Sequence, residues 1–298
     1  MTDDPRRPFG RVLTAMVTPF TAERALDLEG AQRLASYLVD EQANDALVIS
    51  GTTGESPTTG DAEKEALLRA VKEAVGDRAR IVAGVGTYNT AHTLELARVA
   101  EKAGADGLLV VTPFYNKPPQ AGLLAHFTTV AEATGLPMLV YDIPGRTGTA
   151  VHTDTMCRLA EHPRIVGVKD AKGDIAATSW VLRRTDLAYY SGEDAATLPI
   201  LSIGGVGVVG TSTHLTGTGT KQMIEAYERR QLDEALRLHQ ALLPLYTGIF
   251  RTQGTILVKA AMNLRGLPAG PVRSPLMDAT EEEIAQLRID CADAGIDL

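Results

Sequence analysis

Lys169 follows directly on the apolar run Ile165, Val166, Gly167 and Val168, which is an unusual place for a charged side chain. An amine at the end of a buried strand is partly stripped of water, and its pKa falls from about 10.4, at about 1.4 kcal/mol per unit. The neutral amine is the form that attacks a ketone and closes an imine. The competing reading is structural, with Lys169 as the buried ion-pair partner of Asp170 or Glu193. Lys172, in the turn that follows, reads as a solvated ammonium.

Other polar clusters stand just beyond apolar runs. Residues 50–56 read Ser-Gly-Thr-Thr-Gly-Glu-Ser, and two glycines flanking Thr52 and Thr53 make a tight turn with free backbone N–H groups. Such a turn can hold a carboxylate, with the two hydroxyls as further donors. A plain Gly/Thr turn is the alternative, and a phosphate loop is disfavoured because the Walker spacing and its lysine are missing. Phe114 and Tyr115 stand between Pro113 and the pair Pro118 and Pro119, as exposed aromatics on a stiff loop or as a packing plug. Tyr141 closes the run Met138, Leu139 and Val140, and Arg146 follows with a planar fork suited to a carboxylate, or to a surface salt bridge. Ser191, Gly192, Glu193 and Asp194 form another compact polar turn, and the glycine-rich stretch 204–210 would let backbone approach a ligand.

What positions these residues is a rhythm of eight short apolar runs, at 12–17, 46–49, 81–85, 107–111, 138–141, 165–168, 187–190 and 206–209. Most are apolar on successive residues, as in parallel strands covered on both faces. Helical segments lie between them, such as 61–75, acidic at its start and ended by Gly76, and 90–103, opening at a Thr90 cap. Eight strand–helix units point to an α/β fold of the TIM-barrel (β/α)8 type, with an open doubly wound sheet as the alternative. In such a barrel the chemistry lies at the C-terminal ends of the strands, where every cluster above falls. The rhythm stops after Gly217. Residues 1–217 therefore read as the barrel and 218–298 as a helical C-terminal extension packed on it, with helices at 221–245 (broken near Pro244), 254–264 and 280–292.

The chain has 298 residues, 44% of them hydrophobic, enough for one large core. A net charge of −8 argues against a nucleic-acid partner. Cys157 and Cys291 are the two cysteines and have no metal-like spacing, which suits a reduced, cytoplasmic setting. Residues 1–8 are polar, with no apolar leader core, and the apolar stretch 198–209 is too short and too broken by glycine to span a membrane. The six histidines are scattered and no G-x-G-x-x-G opens a helix, so neither a catalytic metal nor a dinucleotide cofactor is expected.

Taken in order, GTTGE at 51–55, Tyr115 with Asn116, YDIPGRTG at 141–148, GVKD at 167–170 and SGED at 191–194 resemble the dihydrodipicolinate synthase family, within the broader N-acetylneuraminate lyase group. The resemblance runs from about Gly10 through the helical tail. It implies condensation of pyruvate with L-aspartate 4-semialdehyde to 4-hydroxy-tetrahydrodipicolinate, on the way to diaminopimelate and lysine, with no cofactor. It also implies the roles. Lys169 would form the imine and Thr53 would hold the pyruvate carboxylate. Tyr141 would move protons with Thr52 and with Tyr115 from an adjacent subunit. Arg146 would bind the semialdehyde carboxylate, and Gly192 and Val209 would line the site. A homotetramer of two tight dimers is implied as well. Lysine-inhibited members carry a polar interface cluster of histidines, an asparagine, a glutamate and a tyrosine. This chain has Asp61, Lys64, Tyr88, His92 and Phe114 there, so weak or absent lysine inhibition is expected. A sister activity on N-acetylneuraminate or a 2-keto-3-deoxy sugar acid shares the lysine and tyrosine. Arg146 and the paired threonines favour the short, doubly carboxylated chemistry. A keto-acid sensor without catalysis could dispense with the lysine or the relay, and both are present.

Overall fold

The computed structural model describes residues 6–298, so residues 1–5 of the stretch read for a leader lie outside the described residues. Eight parallel strands close into a barrel: β1 (Val12–Ala15), β2 (Ala46–Ile49), β3 (Arg80–Gly84), β4 (Gly107–Val111), β5 (Met138–Asp142), β6 (Ile165–Asp170), β7 (Ala188–Ser191) and β8 (Gly207–Gly210). Around them run α1 (Leu28–Asp40), α2 (Asp61–Val75), α3 (Thr90–Lys102), α4 (Gln120–Glu132), the short α5 (Pro144–Thr147), α6 (Thr153–Leu159), α7 (Ile175–Arg184), α8 (Thr197–Ser202) and α9 (Thr213–Glu228). The extension adds α10 (Leu232–Gly248), α11 (Gly254–Leu264) and α12 (Glu281–Asp293). Among the described residues no helix is long and apolar enough to cross a membrane.

The strands are apolar on successive residues because both faces are covered. Leu108, Val140 and Val168 pack outward against the helices, whereas Leu109, Leu139 and Tyr141 pack inside the barrel. This period of two decides what each rim residue faces. In β6 it turns Val168 outward and Lys169 into the mouth.

Local chemistry starts the helices. Asp27 and Asp174 accept from backbone N–H groups in the first turns of α1 and α7, and Thr280 with Glu283 closes a capping box on α12. The cap of α3 is Asn89, one residue before the expected Thr90, and the Thr90 hydroxyl instead meets His126 Nδ1 at 2.9 Å.

Closure places β8 beside β1, with Leu13 opposite Val209. A Cβ on Gly207 would lie 2.0 Å from the Arg11 carbonyl oxygen, and one on Gly205 would lie 2.3 Å from the Ile200 side chain. The glycines of 204–210 thus admit the protein's own chain, where the sequence suggested a ligand. Arg11 reinforces the seam by gripping Glu228 at the end of α9 through two guanidinium nitrogens, at 3.0 and 2.9 Å.

Position 217, where the strand rhythm stops, lies inside α9, whose early turns pack on β1. The helix expected at 221–245 is two helices, broken at 229–231, where Arg230 takes a φ of 60°. Pro244 sits within α10 without ending it. The carbonyl left without a donor belongs to Gln240, on the exposed side, where water can replace the lost bond. Arg251 pairs with Asp290 to hold α12. The helix α11 turns back to the barrel mouth, where the Thr255 hydroxyl donates to the Thr53 carbonyl at 3.0 Å.

A Gly207→Val substitution should lower stability by about 3 kcal/mol, seen as a lower urea midpoint, because backbone at the seam cannot give way. An unchanged midpoint would return the glycine to a ligand-facing role.

Candidate active site

A cavity of about 460 Å³ opens at the C-terminal ends of the strands and is lined by Thr52, Thr53, Tyr141, Arg146, Lys169 and Gly192. These come from four separate loops and strand ends, brought together by strand register. The β5–β6 pairing sets Tyr141 beside Lys169 and Asp142 beside Asp170. Since alternate residues face opposite ways, the first pair enters the mouth and the second faces the helices.

Lys169 is 5% exposed, and its amine lies 4.2 Å from the centre of the Tyr141 ring. Burial pushes its pKa from 10.5 down to about 8; Asp194 pulls upward and Arg146 adds to the fall. Among the described residues no carboxylate lies within ion-pair distance of this amine. Asp170, one of the expected structural partners, instead accepts from the Thr178 hydroxyl and from the Lys172 backbone N–H at 2.9 Å. Lys172 is not the solvated ammonium read from the sequence. Its side chain is 13% exposed and stands 3.6 Å from the carboxylate of Asp142, itself 1% exposed. Burial lifts Asp142 to about 6, with Lys172 opposing.

Burial pushes the Tyr141 phenol up to about 12, despite Arg146 and a hydrogen bond with Thr52. The phenol is therefore protonated at neutral pH and stands in hydrogen-bond reach of Thr52. Thr53 pairs its hydroxyl with that of Thr211 at 3.2 Å. The turn carrying Thr52 and Thr53 is bracketed by two left-handed residues, Ser50 at φ 61° and Glu55 at φ 55°. Arg146 sits on α5, exposed, and among the described residues no carboxylate pairs with it, so its fork is free for a ligand. At Gly192 a Cβ would lie 2.9 Å from that of Ala171 and 3.0 Å from the Asp170 carbonyl, so the wall there is backbone.

Two expected residues stand apart. Val209 is wholly buried in the barrel interior, and the wall position on that side is held by Thr211, two residues on and on the same face. Tyr115 is 90% exposed at a φ of 71° and is not among the residues that line the cavity of its own chain. Its neighbour Phe114 stacks edge-on with Tyr88, ring centres 5.3 Å apart.

The structure adds residues that the sequence did not single out. Tyr246, Thr247, Phe250, Gln253 and Thr255 of the extension form one side of the cavity. Helical periodicity carries no trace of this role; the nearest signal is that Gln253 precedes the expected start of a helix. Asp194, quoted only as part of a turn, is 2% exposed and accepts from the Ser212 hydroxyl at 2.6 Å and from the backbone N–H groups of Thr211 and Ser212. Burial raises its pKa, the bonds from Ser212 and Thr211 oppose that rise, and its charge pulls the Lys169 pKa upward.

Asp61, Lys64, Tyr88, His92 and Phe114 meet around a second cavity of about 530 Å³, whose inner wall is Thr52, Tyr141 and Arg146. His92 Nε2 lies 2.8 Å from Asp61, and Lys64 lies 3.6 Å from the same carboxylate. Among the described residues no group of three or more His, Cys, Asp or Glu side chains could hold a metal ion.

The lowered pKa of Lys169 carries a stability consequence. Below about pH 8 the folded chain holds a charged amine in a dry site, whereas between 8 and 10.5 the folded amine is neutral and the unfolded one still charged. Stability therefore rises with pH through that window. Lys169→Met should stabilise the fold at pH 7, by on the order of 3 kcal/mol, and the gain should fade toward pH 10.5. Calorimetry of both proteins at pH 7 and pH 10 checks this; a destabilised variant at pH 7 would contradict it.

Comparison with known proteins agrees over nearly the full length. Residues 8–293 match the dihydrodipicolinate synthetase family. A 4-hydroxy-tetrahydrodipicolinate synthase of Acidothermus cellulolyticus is 72% identical, covering 97% of this chain and 93% of that protein. The lysine-bound structure of the synthase from Cyanidioschyzon merolae superposes with a TM-score of 0.94 at 43% identity, covering 96% of this chain and 98% of that one. A structure described as a monomeric dihydrodipicolinate synthase variant has the same TM-score at 38% identity, covering 98% of this chain and 99% of that one. With its barrel, its rim lysine and these relatives in agreement, the chain belongs to the dihydrodipicolinate synthetase family.

Proposed function

We propose that this chain condenses pyruvate with L-aspartate 4-semialdehyde to give 4-hydroxy-tetrahydrodipicolinate, supplying diaminopimelate and lysine synthesis. The observation that carries the reading is the desolvated Lys169 amine over the Tyr141 ring, facing a turn with two threonine hydroxyls. The neutral amine adds to the keto carbon of pyruvate, and loss of water leaves an imine. Thr53 and neighbouring amides hold the carboxylate. A proton leaves the methyl group, and the resulting enamine carbon attacks the aldehyde. Tyr141 and Thr52 pass the protons that these steps need, in a site where burial keeps the phenol protonated. Arg146 binds the carboxylate of the semialdehyde. The semialdehyde's amino group then attacks the imine carbon, closing the ring and freeing Lys169.

In this reading the barrel, residues 1–217, carries the chemistry, and the extension, 218–298, walls the site. Gly192 contributes backbone and Val209 supports the floor. Tyr115 works in the site of an adjacent subunit. Its 90% exposure suits a residue that buries itself on assembly, and the assembly is a homotetramer of two dimers acting in the cytoplasm. The free thiols of Cys157 and Cys291 accord with a reduced compartment.

Borohydride with labelled pyruvate should fix one three-carbon adduct on Lys169, seen by peptide mass. Its absence would end the imine reading. Tyr141→Phe should lower kcat by roughly 10²–10⁴-fold with little change in folding. The coupled assay must also favour aspartate semialdehyde over sugar-acid substrates; the reverse preference would assign the chain to a sister lyase.

Lysine should inhibit weakly or not at all. A ligand carrying two ammonium groups meets the Lys64 ammonium in the second cavity, where Asp61 is already taken by His92 and Lys64. A submillimolar inhibition constant would overturn this.

A further inference from the structure

Glu55 and Lys259 form an ion pair that the steps above never use. Their side chains are 1% and 2% exposed, and Lys259 Nζ lies 2.7 Å from Glu55 Oε1. Each partner has further contacts. Lys259 also donates to the Pro271 carbonyl at 2.7 Å and sits 4.2 Å over the Phe20 ring, while Glu55 Oε2 accepts from the Arg273 N–H at 2.8 Å. Buried pairs of this kind are poor stabilisers, because desolvating two charges offsets their attraction and apolar replacements are often as stable. Its geometry points to another role.

Glu55 ends the turn that begins at Thr52, its backbone N–H donating to the Thr52 carbonyl at 3.1 Å. Its φ of 55° is one that a side-chain-bearing residue keeps only when its surroundings hold it. What holds it is α11. Thr255 and Lys259 are four residues apart, hence on one face of that helix. The first grips the turn at the Thr53 carbonyl and the second at the Glu55 carboxylate. Gly54 between them is fixed from the barrel side, where the Thr18 hydroxyl donates to its carbonyl at 2.6 Å.

We propose that the Glu55–Lys259 pair, together with Thr255, is a positioning device: it sets the Thr52–Thr53 turn in the conformation that receives the keto-acid carboxylate. The inference rests on the reading of that turn as the pyruvate-carboxylate site. It gives the extension a part in catalysis through a residue that touches no substrate. A displacement near 1 Å in a substrate-holding group can change rates by about 10²-fold, so a small relaxation of the turn is measurable.

The test compares Lys259→Met, Thr255→Val and the control Arg251→Gln, which breaks an ion pair of the same extension that does not touch the turn. Each is assayed for melting temperature, for borohydride trapping across a pyruvate titration, and for KM of the semialdehyde. The expected result is a half-saturating pyruvate concentration raised roughly tenfold in Lys259→Met and severalfold in Thr255→Val. The semialdehyde KM should stay near wild type, and Arg251→Gln should lose only melting temperature. A folded Lys259→Met with wild-type half-saturation, or an equal rise in Arg251→Gln, would overturn the proposal. If Lys259→Met does not fold, Thr255→Val decides by the same criterion. Failure of the wild-type protein to trap pyruvate would instead refute the proposed function, so the two failures are distinguishable.

Discussion

A lysine amine costs free energy to bury, and the cost falls only if the proton is given up or a counter-charge is near. At Lys169 the barrel imposes this condition from all sides. Tyr141 lies against the amine, Asp170 is turned to the opposite face and occupied by Thr178, and the influence of opposite sign comes from Asp194, itself held by Ser212 and Thr211. The outcome is an amine near the midpoint of its titration at mildly alkaline pH, the state a carbonyl-attacking group needs.

The same barrel sorts the charged residues by parity. Tyr141 and Lys169 share one face across the β5–β6 pair, and Asp142 and Asp170 share the other. One register thus makes both the Tyr141–Lys169 pair inside the mouth and a separate polar cluster under the helices, where Lys172 neutralises part of the Asp142 charge. A one-residue slip would exchange the two sets.

The helical extension is joined to this arrangement by buried polar bonds as well as apolar contact. Thr255 and Lys259 reach the turn after β2, and Phe250 and Gln253 wall the cavity. The extension is therefore continuous with the site, although it shares none of the strand rhythm.

Much of the architecture is local in origin and legible in the sequence. Strands covered on both faces must be apolar at every position, and polar clusters at their ends must lie at the mouth, so Thr52, Thr53, Tyr141, Arg146, Lys169 and Gly192 could be read as one site. Short-range signals also placed α2 and α11. Three features could not be read this way, because each depends on partners distant along the chain. The ion pair of Lys172 with Asp142 needs the β5–β6 register, and the wall made by Phe250 and Gln253 needs the docking of α11. The clash that makes Gly207 necessary needs β8 to meet Arg11 at the seam. The sequence by itself determined which residue types stand at each strand end, since pleat and period act over a few residues. Only the tertiary structure decided which of them lose water and which find a partner, because burial and charge pairing are set by chain segments up to about 200 residues apart, as with Glu55 and Lys259.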